Sequence, residues 1–192
     1  MSCINKLTAN LSYSCDASHK PIGGLDGSKA VLINRSDLDY TALTQSGATI
    51  TNLTLKSGAT GYSVEFIKQL GSTTSKLQVN ENGIDKYMHS FACRIFGTGA
   101  ADAERMRELT SGEFIVVVET KFKGSSNADA FKVYGWDNGL RISEANYSSL
   151  ENDGSMLFTL SSVKSFEETY PYNIYLESNY STTKAKVDGL FA

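Results

Sequence analysis

Short apolar or alternating runs recur along the chain, separated by clusters of glycine, asparagine, aspartate and serine. That rhythm is the pattern of an antiparallel β domain, in which each strand is bounded by residues that favour turns. Residues 30–34 form one run, after the glycine-rich turn at 23–27. Residues 49–56 alternate, with Ile50, Leu53 and Leu55 set among threonines. Tyr62, Val64 and Phe66 make a period-two row, and so do Tyr87, His89, Phe91, Cys93 and Ile95. Residues 114–122 are the strongest strand, followed by 131–136 and 156–161. Asn138-Gly139 and Asp153-Gly154 fall between alternating runs, where tight turns need positive φ. The polar tracts 69–82 and 124–128 read as exposed loops, the first long for a compact domain. There is no internal repeat and no linker, so residues 1–192 read as one domain with extended termini.

One segment breaks the strand rhythm. RIFGTGAADAERMRELTSGEFIVVVE, residues 94–119, places Gly97-Thr98-Gly99 between an apolar run and a helical pattern. The helix is predicted at about 100–110. Ala103, Met106 and Leu109 form its apolar stripe, Asp102 and Glu104 lie near its positive end, and Gly112 suits its exit. A helix of three turns is marginal alone and needs a sheet to pack on. A dinucleotide fingerprint would want a third small residue where Asp102 stands, and further βα units downstream. A carboxylate there would repel a pyrophosphate. The segment therefore reads as a strand–helix–strand connection on one end or face of a β-sheet. The resulting fold class is mainly β: an antiparallel β-sandwich or half-barrel with one flanking α-helix.

Composition narrows function mainly by exclusion. The net charge of −3 and pI near 5.4 argue against a basic surface for reading duplex DNA. The apolar runs are too short to cross a membrane, and the N-terminus has no apolar signal region. The asparagine sequons, such as Asn52-Leu53-Thr54, are accordingly expected to be unused. Cys3, Cys15 and Cys93 are an odd set without CxxC, which fits free thiols. Cys15 and His19, with Cys3 upstream, would need His89 or Cys93 to complete a zinc site; the alternative is small semi-buried side chains. No nucleotide, zinc-protease or hydrolase motif is present, and no cofactor is expected. His89 reads as a satisfied inward or pore-facing histidine. The pairs Asp37/Asp39 and Glu167/Glu168 read as solvated loop charges. Trp136 with Tyr134 reads either as core or interface, or as an aromatic binding platform. Trp136 is a candidate anchor against a neighbouring subunit. Leu190 and Phe191, in an apolar chain end, are candidates for the same role or for folding back on their own domain.

The order of a glycine turn and strand (GGLDGSKAVLIN), a β region, a polar loop, one helix running into a long strand (ADAERMRELTSGEFIVVVETK) and a final hairpin (FKVYGWDNGLRI, then DGSMLFTLSS) resembles tail-tube or other major structural proteins of bacteriophages, including phages of Bacteroides-like bacteria. The resemblance covers about residues 20–175 and is one of layout. It implies a non-enzymatic virion protein of the tail, assembled in the bacterial cytoplasm. Six copies would form a ring whose sheets join around a lumen, and rings would stack through loops and termini. The partners implied are the chain itself and other tail proteins, with DNA passing through without specific binding and no membrane. An acidic, serine- and threonine-rich chain suits such a lumen, although Lys121, Lys123 and Lys132 flank the strongest hairpin. The alternatives are a capsid decoration or head–tail connector protein, and a ligand-binding β-sandwich module.

Overall fold

The computed structural model describes residues 9–10, 22–67, 70–81 and 83–190. Among them, eleven strands form two sheets. The larger sheet runs β2 (Thr44–Ser46), β3 (Thr49–Asn52), β11 (Asn173–Tyr175), β8 (Phe131–Tyr134), β7 (Phe114–Thr120), β1 (Leu25–Asn34) and β4 (Tyr62–Glu65). The smaller runs β5 (Ser72–Gln78), β6 (Lys86–Ile95), β10 (Met156–Ser161) and β9 (Arg141–Tyr147). Pairing is antiparallel except between β3 and β11.

Alternation along β1 and β7 builds two cores from one sheet. Ala30, Leu32, Phe114, Val116 and Val118 face the smaller sheet and meet Phe91, Cys93, Phe158 and Leu160. Val31, Ile33, Ile115 and Val117 face the other way and meet Leu38, Leu53, Tyr175, Val187 and Leu190. Because both faces of β7 are covered, residues 114–118 form a continuous apolar run, and all five are buried. Each such side chain contributes about 1.5–3 kcal/mol on leaving water.

The helix expected at about 100–110 is α1 (Ala100–Leu109). Met106 is buried and Leu109 half-buried against the first core, whereas Ala103 is exposed, so the stripe is narrower than its spacing implies. The helix joins β6 of the smaller sheet to β7 of the larger, so it connects two sheets and does not bridge neighbours within one. Its start is capped from within the chain. The Asp102 carboxylate accepts from the Gly99 amide at 3.2 Å and lies 2.6 Å from where a Cβ on Gly97 would stand. The anion position of this helix end is thus filled by Asp102 itself.

Three expectations change. The polar tract 69–82 is not simply a loop: residues 72–78 form edge strand β5, in register with β6 from Ser72↔Ala92 to Gln78↔Lys86. Its outer positions are polar because the edge faces solvent. Nor are the described residues before 191 all extended. A second helix, α2 (Tyr180–Asp188), lies on the outer face of the larger sheet. Finally, Asn138-Gly139 does not close a hairpin, since β8 and β9 belong to different sheets. The hairpin is β9–β10, closed at Asp153-Gly154, where both residues have positive φ as expected.

Candidate functional site

Trp136 owes its position to the glycine before it. Gly135 has φ +74°, which breaks the alternation of β8. Tyr134 therefore points into the inter-sheet core while Trp136 points into the opposite one. The two rings share no surface and form no platform. Trp136 is 8% exposed, and its Nε1 donates to Gln45 Oε1 at 2.7 Å. What remains visible is one wall of a hollow of about 280 Å³ shared with Leu38, Tyr40 and Leu43. As a subunit anchor it is already mostly used within its own chain.

The chain end is used in the same way. Leu190 is 7% exposed within the second core. Its carbonyl accepts from the Gly61 amide at 2.5 Å and from Thr60 Oγ1 at 2.9 Å. Leu190 therefore packs on its own domain. Phe191 lies outside the described residues, as do Cys3, Cys15 and His19, and with them the zinc reading.

The turn after Trp136 is held by a group that sequence reasoning took for a solvated charge. Glu168 is 1% exposed. Its Oε2 accepts from the Asp137 amide at 2.7 Å and its Oε1 from the Asn138 amide at 3.1 Å. Burial pushes its pKa up to about 7, opposed by those two amides. Glu167 contributes its carbonyl to Asn138 Nδ2 at 2.8 Å, and Asp137 Oδ2 accepts from the Thr169 amide at 2.9 Å. Residues 167–169 therefore strap the turn to the edge of β6, where Glu168 exchanges both backbone hydrogen bonds with Tyr87. Nothing in the local sequence marks Glu168 as buried.

His89 lies behind the same turn and is satisfied on both nitrogens. The Gly135 amide donates to Nδ1 at 3.2 Å, and Nε2 donates to the Tyr170 carbonyl at 2.9 Å. That pattern fixes the neutral tautomer protonated at Nε2, and burial lowers its pKa. Its ring meets Tyr134 edge-on at 5.2 Å. Asp37 and Asp39 are occupied by Asn34 Nδ2 and by Thr41. Burial raises the Cys93 thiol to about 12.

The outer face of the smaller sheet is open to solvent. Its inner positions are His89, Phe91, Cys93, Phe158 and Leu160, so by alternation Ser72, Thr74, Ser90, Ala92, Thr159 and Ser161 face outward. Thr74 and Ser90 share a hydrogen bond across the strands at 2.6 Å. The edges of this sheet are β5 and β9, each seven residues long. Lys76, Lys86 and Arg94 also fall on the outward register, against Glu144, so the chain's net acidity does not reside on this face. No protein-family model, curated protein or solved structure matches the chain.

Proposed function

We propose that the chain is a non-enzymatic virion structural protein, a phage tail-tube subunit whose copies, six to a ring, join edge to edge around a DNA-conducting lumen. The observation that carries this reading is the smaller sheet. It has two edges of seven residues each and an outer face on which Ser72, Thr74, Ser90, Thr159 and Ser161 stand among the longer side chains of Lys76, Lys86, Met88, Arg94 and Leu157. Edges of that length are templates for pairing with another chain, and joining β5 of one copy to β9 of the next would leave neither edge of this sheet bare. The outward face would then line the lumen. Serine and threonine keep it hydrated. Lys76, Lys86 and Arg94 give it a weak, salt-dependent attraction for phosphates, which orders no base sequence.

The test is direct. Cysteines are placed at Thr74 on β5 and at Asn146 on β9, with neighbouring positions to cover the register. Oxidation of the assembled protein is expected to link copies into ladders of up to six, and negative-stain images at rising concentration are expected to show rings and then tubes. A protein that stays monomeric at high concentration, with no inter-copy link at any β5–β9 pair, sinks the proposal.

A further inference from the structure

A second cleft lies where the two sheets part. β8 alternates: Phe131 and Val133 go to the α2 face, so Lys132 and Tyr134 go to the inter-sheet side. Next to them β5 begins, and a cavity of about 360 Å³ opens, lined by Lys132, Tyr134, Thr73, Thr120, Gly24 and Gly71. Glycines on two walls bring backbone close to the cavity.

The donors in this cleft are unevenly matched. The Lys132 ammonium stands 4.5 Å from the centre of the Tyr172 ring. Among the described residues, none of the ion pairs includes it. Asp129 acts on it only through its field, and burial disfavours its charged form. A partly desolvated cation without an anion in contact is costly to hold. The Tyr134 hydroxyl accepts from Thr73 Oγ1 at 3.0 Å, which leaves its own proton to donate. The Thr120 hydroxyl is turned inward, onto the carbonyls of Phe122 and Ala130. Lys132 and Tyr134 both line the cavity, and among the described residues no carboxylate pairs with the one or accepts from the other.

We propose that this cleft binds a carboxylate group, held between the Lys132 ammonium and the Tyr134 hydroxyl. A carboxylate matches one unit of positive charge and offers an oxygen to each donor, whereas a phosphate dianion would leave a charge uncompensated in a half-buried place. The carboxylate has two possible sources: a free small molecule, or an aspartate or glutamate side chain of a second copy.

The experiment uses the full chain labelled with ¹³C and ¹⁵N at lysine, with the Lys132 side-chain signals assigned by their loss in Lys132→Met. Acetate is titrated at constant ionic strength, with chloride and acetamide as controls. The expected result is a saturable shift of the Lys132 signals with acetate alone, together with a rise in its titration midpoint. Tyr134→Phe is expected to weaken the acetate effect about tenfold. Lys132→Met keeps an unbranched apolar stem as far as Cε and removes the ammonium, and unchanged backbone spectra elsewhere would show that the variant folds. If acetate has no effect but the Lys132 signals shift saturably with protein concentration, and an Asp or Glu substitution elsewhere abolishes that shift, the carboxylate is a neighbour's. If chloride moves the signals as acetate does, or neither acetate nor protein concentration moves them, the proposal is overturned.

Discussion

Replacing Glu168 with glutamine should change how stability depends on pH. The carboxyl is raised from its ordinary 4.5 to about 7, chiefly by burial, with the neighbouring Asp137 charge adding to the rise. The two amide donors from Asp137 and Asn138 and the field of Arg35 pull the other way. A rise of about 2.5 units corresponds to about 3 kcal/mol between the protonation states. The sign follows from proton binding. A carboxyl with a raised folded pKa binds its proton more tightly when folded, so its contribution is complete below pH 4.5. It is lost as pH rises to about 7 and stays lost above. Glutamine keeps one acceptor for the turn and turns an amide toward the other donor, at a constant cost of about 1–3 kcal/mol. Urea unfolding of both proteins from pH 4.5 to 8 isolates the group, because the remaining carboxylates cancel in the difference. The wild type should lead clearly at pH 4.5, and its lead should shrink by about 3 kcal/mol by pH 8. A lead that stays constant within about 0.5 kcal/mol would show that the two amides fully offset burial and that Glu168 ionises normally.

Other consequences are simpler to read. Gly135→Ala should cost about 2–4 kcal/mol in urea unfolding, because φ is +74° and the added Cβ would meet Leu140 Cγ at 2.7 Å and the Phe114 carbonyl at 2.9 Å; a loss under 0.5 kcal/mol would mean the turn can relax. Asn179→Ala removes the side-chain cap on the Thr182 amide at 2.9 Å and should cost about 1 kcal/mol, with faster amide exchange confined to 180–190. Cys93, buried and with its thiol raised to about 12, should resist alkylation at pH 8 until the protein unfolds; prompt labelling of the native chain at that residue would contradict its place in the core. Glu119→Gln should loosen α2, since Glu119 accepts from Tyr180 Oη at 2.6 Å and pairs with Lys123 at 2.6 Å; unchanged exchange rates in the helix would show that the apolar contacts hold it unaided.

What could be read from sequence was whatever depends on local periodicity. The row from Tyr87 to Ile95, the run at 114–118 and the helix near 100–110 each formed where their apolar residues place them, although Ala103 of the helix stripe is exposed. The elements that were missed lack that local signal. β5 has one apolar residue, Leu77, in seven, and is a strand because β6 supplies a complete ladder. Helix α2 reads Tyr-Ser-Thr-Thr-Lys-Ala-Lys-Val-Asp, a poor helix former by composition. It is held by Val187 and Thr183 buried beneath it, by Tyr180 stacked on Phe131 at 5.7 Å, and by the Glu119–Lys123 pair.

The same distinction explains the residues of the candidate sites. Trp136 stands two residues after Tyr134, a spacing that in an unbroken strand places both rings on one face. A single positive φ at Gly135 separates them into two cores. Glu168 is buried because Asp137 and Asn138, thirty residues upstream, present two amides to it. Lys132 faces a cleft because β8 is covered on one side by α2 and only partly by β5 on the other. In each case a long-range contact decides whether a polar or aromatic side chain is solvated, paired or left with a donor to spare. The smaller sheet is the counter-example. The outward set on β6 follows from alternation alone, so that part of the surface on which the assembly proposal rests is written in the spacing of residues 86–95, whereas its edges, β5 and β9, are fixed only by the strand order.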